Sequence, residues 1–535
     1  MLPEDRFFRD FTEDELWQRY CGFLDLSLDR FMDIQKELLL DQIERIAPSV
    51  MGKKIMGNQV PGNVDEFRRT VPLTTYQDYE PYLSEKKEDV LAEKPRLWCH
   101  SSGRGGYFKW IPHSVEFMER VVRNLIGCFI LAMTNSKGKV NLQPGFRILS
   151  IIPPRPYASG WLVYSLSERI TCKVIPPILE AESMDFEERV QKAMQIALRE
   201  GADVAAATSS ILVKMGELFT EEAGGTRLSM KVMHPKIVMR LLRASLKARS
   251  KKRTLLPGDL WPVKGIVSSG MDSNIYSGEI AHYWGHQPYQ FYSSSDAGFI
   301  AMQAWNKKMM TFLPDSVFLE FIPQSEQACP EGSEDYQPET LLMNEVEEGK
   351  LYEVVITQLY GMPLLRYRTK DLIKINAMED KETGVKLPQM TFQRRIGETI
   401  NLASLAELDE KTIWRAIADT GMEYNDWTAC KEYDGDKAYV RLYLELKKPK
   451  DAEEVASQID KKLKIVDPDY RDIDSYLGLQ PVKVTILSPG TFEKYTNEKR
   501  REGRDLAHLK PRHINPPQPD VEQLIHFNEV ENKKW

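Results

Sequence analysis

The sequence predicts an α/β protein with a large amino-terminal unit, in which buried strands alternate with amphipathic helices, and a small α+β unit behind it. Three observations carry this. A helical apolar repeat, Phe117, Met118, Val121, Val122, Leu125, Ile126 and Phe129, runs into Arg147–Ile152, a short apolar run that reads as a buried strand. The same alternation recurs at 186–210. Past Arg394 the period changes to the strict alternation of a half-buried strand at Tyr439–Leu444. At 535 residues the chain is also too long for one ordinary core.

In chain order, Thr12-Glu13-Asp14-Glu15 has capping-box spacing. It opens helix marked by Leu16, Tyr20 and Phe23, then Leu24, Leu28, Phe31, Ile34 and Leu38. Strand 147–152 ends at Pro153-Pro154. Phe186–Arg199 reads as helix stopped by Gly201, Val204–Ala207 as a strand, and Ser210 as the start of another helix. Leu351–Leu359 and Leu364–Ile375 read as strands turning at Gly361-Met362-Pro363, followed by an exposed loop over Ala377–Lys386. In the second unit, Asp434-Gly435 signals a turn, Asp451–Leu463 a helix and Val482–Leu487 a strand. The boundary falls within Phe392–Gly397, giving domains 1–393 and 394–535, and Pro-rich Asn515–Pro519 is expected to open a loosely held tail. There is no internal repeat.

Hydrophobic residues at 42% and charged residues at 28% are the balance of a soluble globular protein. A net charge of -7 argues against a general nucleic-acid binder, whose phosphate contacts need a basic surplus. Cys21, Cys99, Cys128, Cys172, Cys329 and Cys430 stand singly, without metal-ligand spacing, as expected of reduced thiols in a cytoplasmic protein. The polar, acidic start is unlike a signal peptide, and the longest apolar stretch, Ile126–Met133, is too short to span a bilayer. A monomer without membrane or nucleic-acid partners is expected. Basic Lys231–Arg253 reads as a surface helix whose Val238, Leu241 and Leu242 pack inward. His282 and His286 have i, i+4 spacing but no neighbouring acid or third ligand, so a structural role is expected.

Ser101-Ser102-Gly103-Arg104-Gly105-Gly106-Tyr107-Phe108-Lys109 is the stretch richest in chemistry. Small residues let backbone N–H groups close round an anion, while Arg104 and Lys109 add positive charge. By itself such a loop is as compatible with a surface turn as with a phosphate site.

The loop does not stand alone. Val71-Pro72-Leu73-Thr74-Thr75-Tyr76-Gln77-Asp78-Tyr79, the loop, Tyr292-Ser293-Ser294-Ser295-Asp296, Tyr367-Arg368-Thr369-Lys370-Asp371, Pro489-Gly490-Thr491-Phe492 and Lys510-Pro511-Arg512 follow one another in order. Together they resemble the plant auxin-responsive promoter family of acyl-acid amido synthetases and its bacterial relatives, a branch of the adenylate-forming superfamily that includes firefly luciferase. The resemblance implies a large amino-terminal domain and a small mobile carboxy-terminal lid. It implies activation of a carboxylic acid as an acyl-adenylate with ATP and Mg²⁺, then transfer to an amine such as an amino acid. On this resemblance Ser101, Ser102, Gly103, Arg104, Gly105, Gly106 and Lys109 meet the phosphates, and Tyr292 and Ser293–Ser295 border the nucleotide. Asp296 would coordinate Mg²⁺, which prefers hard oxygen ligands, Asp371 would accept hydrogen bonds from the ribose, and Tyr367 and Arg368 would also belong to the ATP site. Lys510 would neutralise charge during adenylation, and Arg395 either contacts the nucleotide or forms a salt bridge.

The sequence departs from the family pattern at the site itself. Arg104 stands where Thr is usual in a slightly longer loop, Asp296 where Glu is usual, and Lys370 where Gly is usual. Arg104 either grips phosphate or fills the space of the γ-phosphate. Lys370 is compatible only with a backbone that avoids positive φ. Two alternatives therefore stand beside amide synthesis: thioester formation with coenzyme A, and a non-catalytic nucleotide- or acyl-binding protein.

Overall fold

The computed structural model describes every residue except 58, 101–108, 185, 225–234, 270–272, 327–336, 397–398, 403–405, 435–436, 472–480, 502–509 and 533–535. It divides into two compact units, Met1–Ser101 with Lys109–Gln393, and Arg394–Trp535.

The large unit begins with helix, as the capping box requires. Thr12 and Glu15 exchange side-chain and backbone bonds and start the helix Glu13–Cys21. A hairpin of β1 (Leu97–His100) and β2 (Trp110–His113) follows, in antiparallel register with His100 opposite Trp110. Ser114 then caps α1 (Val115–Ala132), accepting the Phe117 N–H, and apolar residues on most of its circumference are buried. Truncating a fully buried member such as Ile126 to Ala is worth about 2–5 kcal/mol.

Behind α1 runs a mixed sheet. Its parallel part comprises β3 (Phe146–Ile151), β4 (Cys172–Ile175), β5 (Val204–Thr208), β6 (Gly265–Ser269) and β7 (Tyr289–Ser294). Helices make these crossovers, among them α2 (Phe186–Glu200) and α3 (Pro235–Ser250). From β7 the chain turns into antiparallel strands: β8 (Gly298–Gln303), β9 (Met310–Phe312), β10 (Val317–Pro323), β11 (Leu351–Gln358), β12 (Tyr367–Ala377) and β13 (Gln389–Arg395). The sheet order is β10-β11-β12-β13-β9-β8-β7-β6-β5-β3-β4. The α/β class expected from the alternation holds, with the strand readings at 147–152, 204–207 and 351–359 displaced by at most a residue or so at their ends.

Two expectations are corrected. In α3 Leu241 packs inward as expected, with Ile237, Ala244 and Ala248, but Val238 and Leu242 are 44% and 60% exposed. Two alanines on the inner face let the helix lie close to its neighbours, which leaves the larger apolar side chains outside. The segment after Pro519 is not a loose tail. It forms a helix over Gln518–Asn532 whose Val521 and Leu524 are buried with Phe492 and Tyr495.

The small unit holds a three-stranded sheet of β16 (Tyr424–Asp434), β17 (Lys437–Leu446) and β18 (Val482–Leu487), beside a short pair, β14 (Thr399–Leu402) and β15 (Ala406–Asp409). The helices α4 (Glu410–Ala418) and α5 (Ala452–Val466) supply Ile413, Val455 and Ile459 to its core around Trp427 and Leu442. Asn515 locks the chain end to this sheet, its N–H donating to the Ala429 carbonyl at 2.8 Å and its amide to Thr399 at 2.9 Å.

Candidate active site

Residues 101–108 lie outside the described residues, so the expectations for Ser101, Ser102, Gly103, Arg104, Gly105 and Gly106 are not tested by the structure. Their anchors are described. The loop joins β1 to β2, and Tyr76 pins β2: its hydroxyl accepts the Trp110 N–H at 2.9 Å and reaches the Trp110 carbonyl at 3.2 Å. Lys109, the last loop residue, donates to the Tyr367 hydroxyl at 3.0 Å and lies 5.4 Å from the Tyr76 ring centroid.

The Val71–Tyr79 motif is fastened to β12. Thr74 N–H donates to Arg366 O and Arg368 N–H to Thr74 O, both at 2.9 Å, and the Thr74 and Tyr79 hydroxyls both bond Leu365 O. Three of the ordered motifs therefore meet at one place. The fourth joins through Tyr292, a buried residue of β7, whose hydroxyl donates to Asp371 Oδ2 at 2.7 Å.

Asp371 faces Tyr292 because β12 bulges. Val355 pairs with Arg368 and Glu353 with Leu372, so extra residues of β12 accumulate between the two pairs. Lys370 takes up the bulge at φ 62, so the backbone here does demand the left-handed region that favours the Gly usual in the family. Thr369 steadies it, donating to Val354 O at 2.6 Å and accepting the Asp371 N–H at 3.1 Å. Arg368 points the other way. Its guanidinium makes a two-point bridge to buried Glu353, at 3.1 and 2.6 Å, which gives it a positioning role in the sheet.

Two residues that the sequence reading missed hold the turn carrying Ser295 and Asp296. His113 Nε2–H donates to Ser295 O at 2.9 Å, and Gln358 Nε2 donates to Asp296 O at 2.6 Å. Burial pushes the His113 imidazole down to about 4, so it is neutral and donates through one nitrogen. The carboxyl of Asp296 is itself buried. Burial first, with Asp296 as a further cause, raises the Cys99 thiol and pushes the Tyr76 hydroxyl up to about 12. Ser293 is exposed, and Ser294 and Ser295 are half-buried. Among the described residues no cluster of three or more His, Cys, Asp or Glu could enclose a metal. A lone carboxylate on a turn fits Mg²⁺ only in the mode where phosphates and waters complete the shell.

In the small unit, Lys510 lies on Asp426, with Nζ 2.7 Å from Oδ2. Asp426 is also bound by His513 Nε2 at 3.0 Å, and the other ring nitrogen meets Glu410 at 2.5 Å, with the ring stacked 4.4 Å from Trp427. Hydrogen bonds and charge from Asp426 and Glu410 overcome burial and lift His513 to about 10. His513 and Lys510 in turn hold the Asp426 carboxyl well below the usual range against its burial. Arg395 ends β13, half-buried.

Comparison with known sequences and folds now decides the family. The GH3 family N-terminal domain matches residues 22–175, the GH3 family central domain 310–395 and the GH3 family C-terminal domain 410–518. The chain belongs to the GH3 family. Among curated relatives it is similar to jasmonoyl–L-amino acid synthetase GH3.5 of Oryza sativa subsp. japonica, 26% identical over 299 residues, covering 50% of this chain and 49% of the relative. It is also similar to jasmonoyl–L-amino acid synthetase JAR4 of Nicotiana attenuata, 26% identical over 285 residues, 50% of this chain and 47% of the relative. The chain thus spans about half the length of the curated relatives it matches. Among solved structures its fold is similar to AtGH3.15 acyl acid amido synthetase in complex with 2,4-DB, with a TM-score of 0.69, 18% identity and coverage of 98% and 97% of the two chains. A 2-hydroxyisobutyryl-CoA ligase in the postadenylation state gives a TM-score of 0.60 at 12% identity, covering 94% and 93%. This GH3 chain therefore has the adenylate-forming fold.

Proposed function

We propose that this GH3 chain is a ligase that uses ATP to activate a carboxylic acid and passes the acyl group to an amine, an amino acid being the first candidate. The observation that carries the reading is the Tyr292–Asp371 hydrogen bond beside the Lys109–Tyr367 contact, which brings four of the six ordered motifs together in the large unit.

In the first step an acid oxygen bonds to the α-phosphorus of ATP and the bond to pyrophosphate breaks. Like charges approach, so cations and N–H donors must stand ready. Lys109 and the 101–106 loop with Arg104 are assigned to the phosphates, Asp371 to the ribose hydroxyls, and Tyr292 to holding Asp371 in place. Tyr292 to Ser295 border the nucleotide. Mg²⁺, held by Asp296, would screen the phosphate charge. In the second step the amine nitrogen bonds to the acyl carbon, AMP leaves and the nitrogen sheds a proton. Residues 394–535 act as the lid domain that brings Lys510, whose flexible stem suits delivery of a point charge. A cytoplasmic monomer working on small molecules completes the proposal.

ATP–pyrophosphate exchange over aryl, indole, fatty and short-chain acids tests the first step, and amino acids against coenzyme A test the second. Acid-dependent exchange followed by an amide is expected. A thioester product would replace the amine acceptor, and absence of exchange with measurable ATP binding would replace catalysis with a binding role.

A further inference from the structure

A second charged cavity lies at the other end of the parallel strands. Ser294–Asp296 close β7 at its carboxyl end, whereas Arg147, Asp203 and Lys264 stand at the amino ends of β3, β5 and β6, which run parallel to it. There a cavity of about 900 Å³ is lined by Arg147, Lys236, Arg240 and Arg243, with Met239 and Pro262 among its apolar walls. Glu200 and Asp259 also line it, but both are already matched. Glu200 pairs with Arg199 and Lys173, and Asp259 with Arg253 and Lys247.

The cations are less well balanced. Arg147 is bound to Asp203 at 2.9 Å. Arg240 donates to the main-chain carbonyls of Ala197 and Leu198 at 2.6 and 3.0 Å, which caps the end of α2. Among the described residues neither Arg240 nor Arg243 has a carboxylate within ion-pairing distance. The guanidinium groups of Arg240 and Arg147 converge in front of Gly201: a Cβ added there would stand 2.9 Å from one and 3.2 Å from the other. Burial and then the Arg147 charge lower the pKa of Arg240, so the site resists its own positive charge. The amino end of α3 lines the same cavity with Pro235 and Lys236, and its first turn carries no acid to answer the helix dipole. In a chain of net charge -7, this is a concentration of positive charge that an anion would relieve.

We infer that this cavity is a second anion site, separate from the candidate active site, and that it takes the phosphate group of an organic phosphate up to nucleotide size. The volume sets the size limit, and exposed Met239 and Pro262 offer a surface for the organic part. A free metabolite and a lipid headgroup share this chemistry. The lipid source has its own support, because Val238, Leu242 and Leu246 on α3 are 44%, 60% and 65% exposed beside the basic residues.

Calorimetric titration of the full chain with inorganic phosphate, together with sedimentation on phosphatidylcholine vesicles with and without phosphatidic acid, tests this. Arg243→Glu is the main variant, because Arg243 is exposed and surface substitutions usually leave the fold intact. Arg240→Gln is the second, and Lys461→Glu in the small unit controls for net charge. Loss of phosphate affinity by about tenfold or more in Arg243→Glu and Arg240→Gln, but not in Lys461→Glu or Lys109→Met, supports the site with a free phosphate as sufficient ligand. Binding that needs phosphatidic acid and Arg243, without phosphate binding in solution, supports it with a lipid source. No binding in either arm, or binding indifferent to Arg243 and Arg240, overturns it.

Discussion

The two units each hold a histidine among their candidate site residues, and the two are kept in opposite charge states. His113 in the large unit is buried among neutral partners, donates to the Ser295 carbonyl and stays uncharged. His513 in the small unit sits between Asp426 and Glu410 and is held protonated. The large-unit site is thus braced by uncharged donors, His113, Gln358, Tyr76 and Tyr292. The small-unit cluster neutralises itself, and Lys510 is one of its ions. A lysine that must act elsewhere has to leave Asp426, and protonated His513 is the group that would keep that carboxylate paired.

The sharpest way to break the contrast is to remove the shared carboxylate. Asp426→Ala should destabilise the small unit by about 3 kcal/mol, near the lower end of the range for breaking a buried pair, because Lys510 can turn to water whereas His513 keeps only Glu410. Urea unfolding measures it, and an unchanged midpoint would show the cluster to be ornamental. Asp371→Ala should weaken ATP binding by roughly tenfold or more through the loss of a charged acceptor, about 1.5–3 kcal/mol, without the pH effects below. Unchanged ATP affinity would remove Asp371 from the nucleotide site.

Acid and alkali should then separate the two histidines. His513 has a folded pKa above its ordinary 6.5, so the stability it lends is fully present below 6.5 and is lost as pH rises toward about 10. His113 has a folded pKa below 6.5, so its contribution is present above 6.5 and is lost as pH falls toward about 4. Unfolding followed over this range should lose its alkaline limb in His513→Gln and its acid limb in His113→Gln. If either variant kept the parental slope, the charge state assigned to that histidine would be wrong.

How far such features can be read in a sequence depends on how local their causes are. The Thr12 capping box acts over three residues and is visible by inspection. The bulge at Lys370 was foreseen as a question about φ because the comparison residue is Gly. The pairing of His113 with Ser295 and of Gln358 with Asp296 joins residues far apart in sequence, and no periodicity marks either. His113 also looks like an ordinary strand end. The inward face of α3 was misread because two alanines define it, and apolar pattern alone favours the larger Val238 and Leu242. The helix at 518–532 was hidden by the prolines before it.

The smallest expected effect concerns the strand that carries Asp371. Lys370 is exposed yet fixed at φ 62, where an L side chain costs about 1–2 kcal/mol and glycine costs nothing. Glycine also gives the unfolded chain more freedom, which returns about 0.4–1 kcal/mol of that advantage. Lys370→Gly should therefore stabilise the large unit by about 0.5–1 kcal/mol, read as a small rise in the unfolding midpoint. The Tyr292–Asp371 geometry should survive, so ATP affinity should not fall. A lower midpoint would mean that the bulge is set by the lysine side chain, and a weaker ATP affinity at equal stability would mean that its charge belongs to the nucleotide site.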